Sequence, residues 1–178
     1  MKNFLLLVAL SCLTTIYSQT NLSGTLSQDL TLITSESPYQ LSDHLIVGEG
    51  ITLTIEPGVT IDAAGTQQIL IQGGTIDSNG TLDSPIVFNS ANGASISLKQ
   101  TNLALSKIKF TQLNGFHLFL ATGESQSDAS KNFGAITLEN VSSKNNNITD
   151  NSRQDNSLKY TSLILKNSNF ENSIIRSS

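Results

Sequence analysis

Between Leu45 and Phe88 short apolar runs alternate with pieces too short to hold a helix. The runs are Leu45-Ile46-Val47, Leu53-Thr54-Ile55, Val59-Thr60-Ile61, Ile69-Leu70-Ile71 and Ile86-Val87-Phe88. Their length and β-branched content predict strands. The pieces between them carry turn chemistry: Gly48-Glu49-Gly50, Glu56-Pro57-Gly58 and Asn79-Gly80. Pro57 presets φ for the first central position of a turn, and Gly58 supplies the positive φ that a type II turn needs next. The first run recurs at Ile69-Leu70-Ile71, 24 residues on; Val59-Thr60-Ile61 recurs at Ile86-Val87-Phe88, 27 residues on; and Ile96-Ser97-Leu98 follows after a short turn. A recurrence of this length with about three strands per repeat predicts an all-β, single-stranded parallel β-helix, wound in three-sided coils. In such a stack Thr52, Thr54 and Thr60 point outward and Leu53, Val59 and Ile61 inward. The other all-β arrangement, a sandwich, calls for longer antiparallel strands and fits the spacing less well.

The coil array is expected over residues 41–178, with 19–40 before it as a cap or leader. Asn21 to Gln40 is polar apart from Leu26, Leu30 and Leu32, and an end coil needs a covering segment. Further short apolar strands are expected within Leu103–Phe110, Phe116–Leu120, Ala135–Val141 and Leu163–Phe170. Two polar stretches, Ala121–Gly134 and Ser142–Tyr160, have the composition of loops and are expected to interrupt the strands. After Ile174-Ile175 no capping helix is legible. Three arrangements of that end stay open: a fold-over of the last residues, self-association through the open coil, or further coils.

Composition narrows the class of protein. The charged fraction is 13% and the formal net charge −4, and Lys and Arg occur singly, which speaks against nucleic acid as a partner. Ser, Thr and Asn make up about a third of the chain, well above ordinary globular usage and suited to stacked strands with polar corners. Lys2, the apolar run Phe4–Leu10 and Ser18 at the end of Ile16-Tyr17-Ser18 form a secretory signal pattern over residues 1–18. No later segment is apolar enough to span a bilayer as a helix. Cys12, the single cysteine, falls within the signal, so an extracellular mature chain has no disulfide to draw on.

The run of an apolar triplet, Gly-Glu-Gly, Ile-Thr-Leu-Thr-Ile-Glu-Pro-Gly-Val, a Gly-rich corner and Asn-Gly-Thr-Leu-Asp-Ser-Pro-Ile-Val-Phe resembles the coils of secreted right-handed parallel β-helix proteins of the pectate-lyase-like superfamily. The likeness is to their non-enzymatic surface and adhesin-type members, and covers Tyr39–Ser90; Leu165–Asn172 resembles a coil of the same family. Enzymatic members cut acidic polysaccharides with clustered carboxylates and an Arg or Lys base.

A search for such chemistry finds candidates but no constellation. Asp62, Asp77 and Asp83 are the best-placed acids, yet no Asp-Asp pair occurs, and Asp77 and Asp83 flank the Asn79-Gly80 corner, where turn formation alone accounts for Asp. Arg153 and Arg176 lie in a polar stretch and at the C-terminus, poor supports for a rigid base. His44 and His117 have no second ligand at metal-binding spacing and are expected to be strand-surface side chains. No catalytic, cofactor-binding or metal residue is therefore assigned. Sequons stand at Asn21, Asn79, Asn140 and Asn147, marking the chain as a glycoprotein wherever its source glycosylates secreted proteins.

These features predict a secreted or cell-surface scaffold with a structural, adhesive or glycan-contacting role, more a binder than an enzyme. Carbohydrate or cell-surface components are the expected partners. A polysaccharide lyase or hydrolase is the alternative, resting on fold analogy alone. Ice binding by outward Thr rows is a third reading, weakened because Thr52-Leu53-Thr54 does not recur coil after coil.

Overall fold

A computed structural model describes residues 19–99, 103–121, 134–150 and 162–177. The residues of the signal pattern, 1–18, lie outside that set, as do 122–133, 151–161 and Arg153 among them. Every pairing between neighbouring strands is parallel, and the strands assort into a 12-stranded and a 6-stranded sheet. The six-stranded face is built from β2 (Leu30–Leu32), β4 (Thr52–Ile55), β7 (Thr75–Asn79), β10 (Lys107–Lys109), β13 (Ala135–Glu139) and β16 (Ser162–Lys166). The larger sheet folds around one long strand, β3 (Tyr39–Val47). Its first half pairs with β5 (Thr60–Ala63) and its second half with β6 (Gln68–Gln72). From β5 the second face continues through β8 (Ile86–Ser90), β11 (Thr111–Asn114), β14 (Ser142–Lys144) and β17 (Asn169–Glu171). From β6 the third face continues through β9 (Ser95–Lys99), β12 (His117–Ala121), β15 (Asn147–Asp150) and β18 (Ile174–Ser177). Successive triplets such as β4–β5–β6 are thus the three sides of successive coils, the β-solenoid that the strand recurrence predicts.

The register matches the recurrence. Leu45 pairs with Ile69, and Ile61 with Phe88. Inward residues form continuous columns: Tyr39, Ile61, Phe88, Leu113, Ser143 and Phe170 on the second face, and Leu45, Ile69, Ile96, Leu118, Ile148 and Ile175 on the third. Leu53, Val59 and Ile61 are fully buried, and Thr52, Thr54 and Thr60 alternate with them on the outside. Stacking supplies the burial, because one coil alone leaves its inward side chains uncovered. Phe88 and Phe116 meet inside the stack at a centroid distance of 5.3 Å and a tilt of 56°, a favoured geometry for two π-systems.

β1 (Thr20–Thr25) adds to the outer edge of β3. Leu30–Leu32, read from the sequence as part of the covering segment, is hydrogen-bonded as the first strand of the six-stranded face. The largest departure from the sequence reading lies in Ser142–Asp150. This polar stretch is not a loop but strands β14 and β15, and Ser143, Asn146 and Ile148 within it are buried. Hydrogen bonding between coils explains how polar residues occupy the interior. Asn146 Nδ2 donates to the Leu113 carbonyl at 2.5 Å and to Ser143 Oγ at 2.9 Å, and the hydroxyls of Ser143 and Ser173 lie 3.2 Å apart. The serine hydroxyls and the Asn146 NH₂ thereby escape most of their desolvation penalty, whereas Asn146 Oδ1 is buried without a hydrogen-bond partner among the described residues.

The corners also stack. Phe110, Asn140 and Asn167 hold positive φ at one corner; Gly115, Asn145 and Asn172 hold it at the next. Asn tolerates this left-handed conformation better than other side chains, which is why the Asn-rich later coils can turn where earlier ones use Gly.

Candidate functional site

On the second face, outward residues line up across six coils. Gln40 pairs with Asp62, Asp62 with Asn89, Asn89 with Asn114, Asn114 with Lys144 and Lys144 with Glu171. Strand neighbours lie about 4.8 Å apart in a sheet, close enough for these side chains to bond along the stack. Asn89 Nδ2 donates to Asp62 Oδ1 at 2.9 Å, and Asn114 Nδ2 donates to Asn89 Oδ1 at 2.9 Å. An ionised carboxylate only accepts, so Asp62 dictates the orientation of both amides: each turns its NH₂ toward Asp62 and its oxygen toward the next coil. Lys144 follows and pairs with Glu171 at 3.4 Å.

The column floors a groove of about 810 Å³. One wall is the corner Ser90–Gly93, fixed by its own hydrogen bonds. Ser90 Oγ accepts the backbone N–H groups of Asn92 and Ala94 at 3.3 and 3.0 Å, and Asn92 Nδ2 donates to the Ala64 carbonyl at 2.5 Å. His117 and Asn145 complete the lining. Gly93 has φ +82°, and a Cβ there would stand 2.8 Å from His117 Nε2, so glycine leaves room for the imidazole edge. His117 Nδ1 accepts the Asn147 N–H at 2.9 Å, which places the ring proton of the neutral form on Nε2. Burial pushes the His117 pKa below its ordinary value, favouring that neutral form. Chemically the groove offers amide donors and acceptors, a carboxylate, an ammonium group and an imidazole N–H, the set that suits hydroxyl-rich ligands.

The three candidate acids do not come together. Asp62 lies in the groove. Asp83 lies in the exposed turn between β7 and β8, in keeping with a turn-forming role. Asp77 corrects the sequence reading: it is the middle residue of β7, an outward position between buried Ile76 and Ser78, rather than a corner residue. Its Oδ2 meets Lys107 Nζ at 3.2 Å. On the same face Lys109 pairs with Glu139 at 2.8 Å, and the Lys109 ammonium holds the Glu139 carboxyl below its ordinary range by hydrogen bond and charge. Arg176 lies in β18. Among the described residues no three His, Cys, Asp or Glu side chains cluster as metal ligands.

Sequence reasoning missed Asn89, Asn114 and Lys144. A signal existed: each immediately follows an inward residue of the same column, Phe88, Leu113 and Ser143. Finding it requires the register, because the offsets differ from coil to coil.

Residues 24–101 match the family model described as a pectate-lyase-like beta helix domain. Over 67 residues the chain is 45% identical to Protein bark beetle of Drosophila melanogaster; the match covers 38% of this chain and 2% of that protein's length. No solved structure matches significantly. The matched coils, continued by the same three-sided parallel stacking through β18, make this chain a parallel β-helix protein of the pectate-lyase-like type.

Proposed function

We propose that the chain is a scaffold of a secreted or cell-surface protein, with a structural, adhesive or glycan-contacting role, and that the groove over β5, β8, β11 and β14 is its contact surface for neutral or weakly charged carbohydrate. One observation carries this reading: the Asp62–Asn89–Asn114 chain presents pre-oriented amides along the solenoid axis. Fixed planar amides recognise hydroxyl groups at low entropic cost, and a row of them along a rod suits weak, repeated contacts. Hydrolysis of a glycosidic bond calls for two carboxyl groups across it. Among the described lining residues Asp62 is the one carboxylate, and its Oδ1 is engaged by Asn89. The secretory signal pattern supports the address.

The test is a glycan-array screen of the chain lacking residues 1–18, run beside an assay for fragment release from acidic polysaccharides. Binding that is lost in Asn89→Ala and Asn114→Ala, without fragment release, is the expected result. Fragment release lost in Asp62→Asn would replace this reading with a polysaccharide lyase or hydrolase.

A further inference from the structure

At the start of each third-face strand, backbone N–H groups bond across coils by a repeating rule. Ser95 N–H donates to the Gln67 carbonyl at 3.0 Å, His117 N–H to the Ala94 carbonyl at 2.8 Å and Ile174 N–H to the Asn146 carbonyl at 2.9 Å. In each case the acceptor is the backbone carbonyl just before the strand-starting position of the coil below. At two places the rule changes. Gln68 N–H donates to His44 Nδ1 at 3.0 Å, and Asn147 N–H donates to His117 Nδ1 at 2.9 Å. The residues share one column: His44 precedes Leu45, which pairs with Ile69; Gln68 pairs with Ser95 and Ser95 with His117; Asn147 pairs with Ile174. At these two of its five junctions an imidazole nitrogen takes the place of a main-chain carbonyl.

A carbonyl accepts at any pH, whereas imidazole Nδ1 accepts only while it is unprotonated. We infer that the His44–Gln68 and His117–Asn147 junctions form an acid-sensitive seam along the third face, which parts locally when the imidazoles protonate while the carbonyl-closed junctions between them hold. Protonation turns each Nδ1 into a donor facing another donor. The coil entered by Asn147 then loosens from the one below, at the wall of the groove that His117 lines.

The charged groups around the seam are few. Asp43 is next to His44, and its Oδ1 accepts the His44 backbone N–H at 2.7 Å. β1 and β6, which flank His44, carry no charged residue. Asp62 and Lys144 line the groove with His117. β9 and β15, which flank β12, carry Lys99 and Asp150 at their far ends, paired with Ala121 and Leu120. Phe119 contributes an uncharged ring 6.0 Å from that of His117. The lowered pKa of His117, caused by burial, agrees with a neutral ring in the closed seam.

Amide hydrogen exchange measured by NMR at pH 7.5 and 4.5, each rate divided by its intrinsic rate at that pH, tests this directly. Acidification is expected to lower protection at Gln68 and Asn147 at least tenfold and to leave Ser95 and Ile174 unchanged. In His117→Asn the carboxamide Oδ1 stands where Nδ1 stood and accepts at both pH values, so Asn147 should keep its protection at pH 4.5 while Gln68 still loses it. If all four amides change together, or none does, or Asn147 stays acid-sensitive in His117→Asn, the seam is refuted. The comparison within the unaltered chain stands even if the variant does not fold.

Discussion

Asn89 donates from Nδ2 to Asp62 Oδ1 at 2.9 Å, joining side chains 27 residues apart in sequence and one coil apart in space. The bond fixes which edge of Asn89 faces the next coil and, through it, the edge of Asn114. Asp62→Ala is expected to cost about 1.5–3 kcal/mol of stability, the usual worth of a hydrogen bond to a charged group, but a larger fraction of glycan binding, because two amides lose their orientation. Asp62→Asn still offers Asn89 an acceptor and should retain most of both. Urea denaturation together with array binding separates the effects; equal binding by Asp62→Ala and the native chain would detach the column from recognition.

Gly115 turns the corner from β11 to β12 with φ +67°, and a Cβ there would stand 2.0 Å from the Ser90 carbonyl oxygen. Gly115→Ala is expected to destabilise the chain by at least about 2 kcal/mol, from left-handed strain plus a backbone clash. Asn145 occupies the equivalent corner one coil on, at φ 57°, and Asn145→Gly should change stability by only a few tenths of a kcal/mol, roughly the cap-exchange scale. Comparable thermal midpoints for the two variants would refute the corner argument.

Phe88 is fully buried and packs on Phe116. Phe88→Ala should cost about 3–5 kcal/mol, and Phe88→Leu distinctly less, since most of the volume is kept. Calorimetry of both variants checks the order. A small loss for Phe88→Ala would mean that the coils collapse around the space.

Acid should weaken the fold through groups whose pKa is depressed by folding. Folding lowers the pKa of His117, so its contribution is complete above about pH 6.5, the ordinary imidazole value, and is lost as pH falls through the lower folded value. Glu139 behaves in the same sense at lower pH: stabilising above about 4.3, the ordinary carboxyl value, and lost as pH falls through its depressed folded value. Urea midpoints should therefore decline on acidification in two regions, and Glu139→Gln should remove the contribution of the lower one. A midpoint independent of pH between about 7.5 and 4.5 would contradict the His117 assignment, and one unchanged by Glu139→Gln on further acidification would contradict that of Glu139.

Asn146 sits inside the stack, bonded to Leu113 and Ser143. Asn146→Ala leaves the Leu113 carbonyl without that donor and opens space, at an expected cost of about 1–3 kcal/mol. Loss of native near-ultraviolet signal at lower urea is the readout; an unchanged midpoint would show that the polar interior of the later coils is dispensable.

The sequence by itself determined the strands between Leu45 and Leu98 other than β7, the inward and outward faces of β4 and β5, the turn at Pro57-Gly58 and the three-strand repeat; β7 escaped it, because Asp77 beside Asn79-Gly80 reads as a corner residue. Alternation of apolar and polar residues and turn chemistry are local properties, and here the inward positions are filled by Ile, Leu, Val and Phe. Only the tertiary structure revealed β14 and β15, because there Ser143 and Asn146 face inward and their stability depends on partners in other coils. The groove column was hidden for a related reason. Corners of unequal length set Asp62 and Asn89 27 residues apart, Asn89 and Asn114 25 apart, and Asn114 and Lys144 30 apart. Parallel stacking makes these residues neighbours, and no local pattern records which outward side chains it will align.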